Sequence, residues 1–156
     1  MFLDLPTIPG ESQDRIYTNK VDVLAWSWGM TQSGSMHVGG GGGAGAVTIQ
    51  DLSITKYVDK ASPKLMLACA NGGQMPSAFL ILRRGGSTNR YIKITMEQVI
   101  VTGVSTGGSG GDDRLVENVT LNFARVKFEY FAIKADGTED TVVYFGWDIQ
   151  RNITWQ

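Results

Sequence analysis

A chain of 156 residues is long enough for one domain with a substantial core, and 14 basic against 15 acidic residues leave a net charge of −1. No block of like charge runs along it, so its electrostatics give no reason to expect nucleic acid or an anionic membrane as partner. A single cysteine, Cys69, excludes an intrachain disulfide, and no stretch approaches the roughly 18 apolar residues of a membrane span.

The opening MFLDLPTIPGESQD has neither the basic segment nor the long apolar segment of a signal peptide. Synthesis in a reducing cytoplasm is therefore expected, with any export by a route that reads no N-terminal signal. Phe2-Leu3-Asp4-Leu5 predicts a short strand, ended by Pro6 and Pro9-Gly10. Residues 11–20 are a polar connection. Beyond it Leu24, Trp26, Trp28 and Met30 alternate with Ala25, Ser27 and Gly29. That period of two predicts one strand with large apolar side chains on one face and small ones on the other. The small face either packs against backbone or forms a smooth exposed wall, and in the second case Ser27 is the group that meets a ligand.

Seven of the twelve residues from Gly34 to Gly45 are glycine. Each loses more freedom on ordering than alanine by roughly 0.5–1 kcal/mol, so fixing the stretch costs about 4–7 kcal/mol more than an alanine stretch would. Two readings stand: a flexible surface linker, or an arm ordered by a neighbouring subunit. The arm comprises Gly39, Gly40, Gly41, Gly42, Gly43, Ala44 and Gly45, with Val47 and Ile49 available for docking. Val47-Thr48-Ile49 and Leu52-Ser53-Ile54-Thr55 are strand-like but out of phase across Gln50-Asp51, which predicts a bulge or bend there.

Residues 61–73 predict the one helix, with Ser62 as N-cap, Pro63 in the first turn and Asn71-Gly72 as terminator. Leu65, Ala68 and Cys69 share its apolar stripe, which places Cys69 in the core as a small hydrophobe. Strands then follow at Ala78–Arg83, Tyr91–Met96 and Val99–Val104, the first two joined by a hairpin loop at Gly85–Asn89. Ser105–Asp113 is a second glycine-rich loop. Val119, Leu121 and Phe123 have one parity and Val126, Phe128 and Tyr130 the other, so a bulge is expected near Ala124-Arg125. Asp136-Gly137 predicts a turn into a last strand at Thr141–Ile149. Strands with glycine-rich turns and a single helix predict an all-β fold, a barrel-like pair of packed antiparallel sheets.

The catalytic patterns fail on their surroundings. Gly103-Val104-Ser105-Thr106-Gly107 has the spacing of a nucleophile elbow, but Gly-Ser-Gly-Gly-Asp follows where a helix is needed, and the only histidine, His37, precedes the serine. Gly40, Gly42 and Gly45 have the dinucleotide spacing, but Val47-Thr48-Ile49 follows in place of a helix N-terminus. One histidine and one cysteine do not make a zinc site, and Asp112-Asp113 lacks the spacing of a calcium loop. No enzyme, cofactor or metal is expected. Four tryptophans and five tyrosines leave a carbohydrate-binding or small-ligand β-sandwich as the alternative function.

The segments VLAWSWGMTQSGSMH, GGGGGAG, QDLSITKY, STGGSGGDDRLVENVTLNFA and YFGWDIQRN resemble the haemolysin-coregulated protein (Hcp) family, the tube subunit of the bacterial type VI secretion system, over Met1 to Asn152. The resemblance implies a single domain over 1–156, a barrel-like pair of sheets with one helix, and no catalysis. It implies homohexameric rings that stack into a tube, with a sheath and spike protein as partners, and small effector proteins carried in the lumen. By position, Ala25, Ser27 and Gly29 would line that lumen and the glycine arm would reach the adjacent subunit. Ala46, Phe145 and Asp148 depart from the family pattern, which gives a basic residue, Tyr and Asn there.

Overall fold

The computed structural model describes residues 1–34 and 45–156. In chain order the strands are β1 (Phe2–Asp4), β2 (Val21–Asp22), β3 (Ala25–Ser27), β4 (Met30–Thr31), β5 (Thr48–Ile49) and β6 (Leu52–Tyr57). Helix α1 (Ser62–Asn71) follows, and then β7 (Gln74–Arg83), β8 (Arg90–Gly107), β9 (Val116–Ile133), β10 (Glu139–Asp148) and β11 (Ile153–Thr154).

The 18-residue strands β8 and β9 pair antiparallel along their length and support most of the rest. The first half of β9 pairs β6, which pairs β3, whereas its second half pairs β10. On the other side, β8 pairs β7, and β1 and β2 complete that edge. The sheet is antiparallel throughout and is not closed in strand order, so "barrel-like" describes its curvature.

The two long strands are creased at Gln98 and Ala124, and their register shifts once more where Val101↔Leu121 gives way to Gly103↔Thr120, with Thr102 the extra residue of β8. Register runs from Glu97↔Arg125 directly to Val99↔Phe123, passing over Gln98 and Ala124. Pairing of β7 with β8 likewise passes over Pro76 and Gln98, and Gln98 has φ 53. Proline offers no N–H to a ladder, and a positive φ turns the chain out of the extended form. The parity change expected near Ala124-Arg125 is this crease. Val119, Leu121 and Phe123 point into the core before it and Val126 after it. Tyr91–Met96 and Val99–Val104, expected as separate strands, are one strand bent at Gln98, and β8 continues to Gly107, three residues into the expected loop.

Other expectations are corrected locally. The single strand over 24–30 is broken: β3 belongs to the main sheet, while β4, among the described residues, pairs only β5. The partner chain breaks opposite, between β5 and β6 at Gln50-Asp51, where Gln50 N–H donates to Gly29 O at 3.0 Å. Ser62 is the first residue of α1 and Ala61 its N-cap, because the Ser62 hydroxyl is engaged by buried charged groups. Cys69 is half-buried, since only Ser62 and Leu65 of the helix are buried fully. Gly72 ends the helix at φ 66, as Asn71-Gly72 predicted. Gly146 admits the closing strand: a Cβ there would lie 2.0 Å from Trp155 O.

Candidate functional site

Ala25 and Ser27 are exposed, on the wall side of the two alternatives the sequence left open. Trp26 is partly buried against the core from the opposite face of β3, and Trp28 packs there too, stacking on Phe128 at 6.4 Å. Gly29 lies outside β3 and is half-buried against Gln50, so it does not continue the small face.

Strand pairing extends that face across three further strands. Ala25 is level with Thr55, Thr55 with Asn118, and Asn118 with Ser105. Ser27 is level with Ser53, Ser53 with Thr120, and Thr120 with Gly103. Level residues of antiparallel strands project to the same side. The result is two rows of small, hydroxyl and carboxamide groups without an ionisable side chain. Thr55 Oγ1 donates to Asn118 Oδ1 at 2.8 Å. At the margin, Asp51 accepts from Thr102 Oγ1 (2.6 Å) and Asn122 Nδ2 (2.8 Å), so its carboxylate is held by neighbours. Sequence reading missed Ser53, Thr55, Asn118 and Thr120. Their signal is their parity, opposite to Leu52, Ile54, Val119 and Leu121.

Ser105 lies in extended β8, level with Asn118, rather than on a strand-to-helix turn, so the elbow geometry is not formed. His37 lies outside the described residues. So do Gly39, Gly40, Gly41, Gly42, Gly43 and Ala44, whereas Gly45 is exposed, with its Cβ direction aimed at Ser33 Oγ. Val47 and Ile49 are half-buried at the base of the arm. There Met30, Gln32, Val47, Phe145 and Trp147 line a small apolar cavity of about 140 Å³.

Behind the exposed face lies a charged group that sequence reading also missed. Lys56 and Glu117 are wholly buried. Lys56 Nζ donates to Glu117 Oε1 (2.5 Å), Asp59 Oδ1 (2.8 Å) and Tyr57 O (2.8 Å). Ser62 Oγ donates to Glu117 Oε1 (2.5 Å), which ties the first turn of α1 to β6 and β9. A second cluster spans the crease, where Arg125 Nε donates to Asp148 Oδ2 (2.9 Å) and Arg125 Nη1 to Glu97 Oε2 (3.2 Å). The Arg151 backbone N–H, and then the Arg125 guanidinium, hold the Asp148 carboxyl below the usual carboxylate range, against the opposing effect of desolvation. Asp148, where the family pattern has Asn, thus has a partner that an amide would match less well.

The family described as "Type VI secretion system effector, Hcp" matches residues 2–130. Protein hcp1 of Pseudomonas aeruginosa is 55% identical over 156 residues, covering 98% of this chain and 96% of that protein. Among solved structures, Hcp1 from Salmonella typhimurium superposes with TM-score 0.82 at 35% identity, covering 99% of this chain and 97% of that one. A structure described as a type six secretion system protein superposes at 0.92 with 26% identity, covering 99% and 98%. The chain belongs to the Hcp family of type VI secretion system proteins.

Proposed function

We propose that six copies of this chain close into a ring, that rings stack into a tube, and that the two uncharged rows through Ala25 and Ser27 face its lumen and hold small effector proteins. The observation that carries the reading is that face, four strands wide. A wall without ionisable groups and without large side chains accepts varied cargo without clash, and its short hydroxyls offer weak, reversible hydrogen bonds. In this reading the partners beyond the ring are the sheath and spike protein of the secretion system. The protein is made in the cytoplasm and leaves it without a cleaved signal peptide.

Support for ring closure lies at the outer edge of β10. Among the described residues, β11 covers only Trp147 and Asp148 of β10, so the rest of that strand has an open edge. Val142, Val143 and Tyr144 on it are 44%, 62% and 51% exposed. An open apolar strand edge is a docking surface for another chain. The cavity at the base of the arm adjoins it through Phe145 and Trp147. A standard interface of about 800 Å² per partner is enough to hold such a ring.

Light scattering on the purified protein tests the ring: about six times 16.9 kDa is expected, and a strict monomer at micromolar concentration overturns it. Ser27→Gln tests the wall separately. The ring is expected intact with cargo retention reduced, whereas loss of the ring assigns Ser27 to a subunit contact.

A further inference from the structure

The crease at Pro76, Gln98 and Ala124 opens a groove of about 330 Å³ beside the two rows, lined by Gln74, Gln98, Asn122 and Gln150 over Ile100 and Ile149. Gln74, Ile100 and Asn122 are level across β7, β8 and β9, so the groove crosses the strands along the crease. No ionisable side chain lines it. Among the described residues, the side chains of Gln74, Gln98 and Gln150 make no hydrogen bond within the chain. Asn122 spends one donor on Asp51 and keeps its carbonyl oxygen free. Gln98 sits there at a positive φ, a conformation that residues other than glycine rarely hold.

We infer that this groove binds an extended, uncharged polypeptide segment through its main chain. A carboxamide presents a carbonyl acceptor and N–H donors, the kinds of group a peptide bond offers, so a cluster of four pairs with peptide units whatever their side chains. Two inter-strand steps of about 4.8 Å give a floor roughly 10 Å long, which matches about three extended residues at ~3.3 Å each. The lack of charge disfavours a phosphate or carboxylate ligand, which requires a cationic partner. A glycan is disfavoured too, because the one aromatic ring in the lining, Phe123, is only 4% exposed and offers no stacking face. The inference deepens the carrier reading by naming the ligand class. It rests on that reading only for the source of the peptide, because the groove lies within one subunit.

The test is ¹⁵N NMR of the intact protein, following the side-chain NH₂ signals of its glutamines. The probes are a short capped peptide of Ser, Thr and Gly, its backbone N-methylated counterpart, and maltohexaose. Expected are saturable shifts at Gln74, Gln98 and Gln150 with the first probe and none with the second. The exposed pair Gln74→Ala/Gln150→Ala is expected to weaken binding at least about fivefold, the effect of one or two net hydrogen bonds, with melting temperature and assembly mass unchanged. Four results overturn the inference: no shift up to about 5 mM peptide, where binding free energy is no longer useful; equal binding of the N-methylated peptide; undiminished binding by the double variant; or shifts with maltohexaose alone. Oligomeric mass is measured in the same samples, so failure of the ring and failure of the groove are read separately.

Discussion

Lys56 and Glu117 occupy positions whose neighbours at two-residue spacing are Leu52 and Ile54 on one strand and Val119 and Leu121 on the other. Both side chains therefore point into the core, where Glu117 has Lys56 as its cation and Lys56 has Glu117 and Asp59 as its anions. Lys56→Met alone leaves Glu117 without its cation and is expected to cost about 3–5 kcal/mol in chemical denaturation. The pair Lys56→Met/Glu117→Leu should return to within about 1–2 kcal/mol of the parent, because an apolar pair needs no desolvation. Asp148 is the second residue with a measurable signature. Its carboxyl is held below the usual range when folded, so its contribution is present above the unfolded value of about 3.9 and is lost as pH falls through the lowered folded value. Melting temperature followed from neutral to acidic pH should therefore fall less steeply for Asp148→Asn than for the parent. Some slope will remain, since Asp14 is lowered in the same direction by the Tyr17 and Ile16 N–H groups and by Arg83. The buried pair was legible in principle: a lysine on the core parity of a strand, matched by a glutamate on the core parity of another. What the sequence does not carry is that β6 and β9 are neighbours, which brings Lys56 level with Glu117.

At the scale of elements, local chemistry marked turns and ends well. Gly72 and the Asp136-Gly137 turn lie where their residue types require, the latter with Gly137 at φ 85 and Thr138 bonded to Asp136. The parity change in β9 was visible because large apolar residues stand on both sides of Ala124. The matching bend in β8 was not, because Glu97-Gln98 reads as a polar strand end and nothing in a glutamine announces a positive φ. The break between β3 and β4 was hidden for a similar reason. Alternation continues through Trp28, and only the change of partner divides the run. The closing strand β11 depends on Gly146, whose carbonyl accepts from Trp155 N–H at 3.0 Å. Gly146→Ala forces the last residues away, with an expected loss of about 1–3 kcal/mol and faster hydrogen exchange at the Trp155 amide. Unchanged exchange there would mean that the C-terminal strand accommodates a methyl group by shifting as a unit.

For the whole molecule, the informative contrast is between two of the surfaces that the described residues leave exposed. One is flat, uncharged and made of small groups; the other is the free edge of β10, carrying Val142, Val143 and Tyr144. The first suits transient contact and the second a lasting one. Val143→Asp places a charge at the most exposed of the three and is expected to leave the circular dichroism spectrum unchanged while reducing the assembled mass to that of one chain. An unaltered assembly would move the subunit contact to another surface. Half of the small face could be read from Ala25 and Ser27, because alternation in one strand is a local property. The residues on β6, β8 and β9 could not be joined to it, because that needs the pairing of segments as distant in sequence as Ser27 and Thr120.

The crease restricts how this chain can vary. On either side of Gln98 and Ala124 the inward residues differ in parity, and those two positions are the offset that keeps one continuous interior. Removing either, or inserting a neighbour beside it, would turn half a strand inside out and set Ile94 and Met96, or Val126, toward water. Exchange of one exposed side chain for another is bearable along β8 and β9, whereas a change of residue count at this crease is not. The tips at 85–89, 108–115 and 134–138 are where added or lost residues are expected to be tolerated.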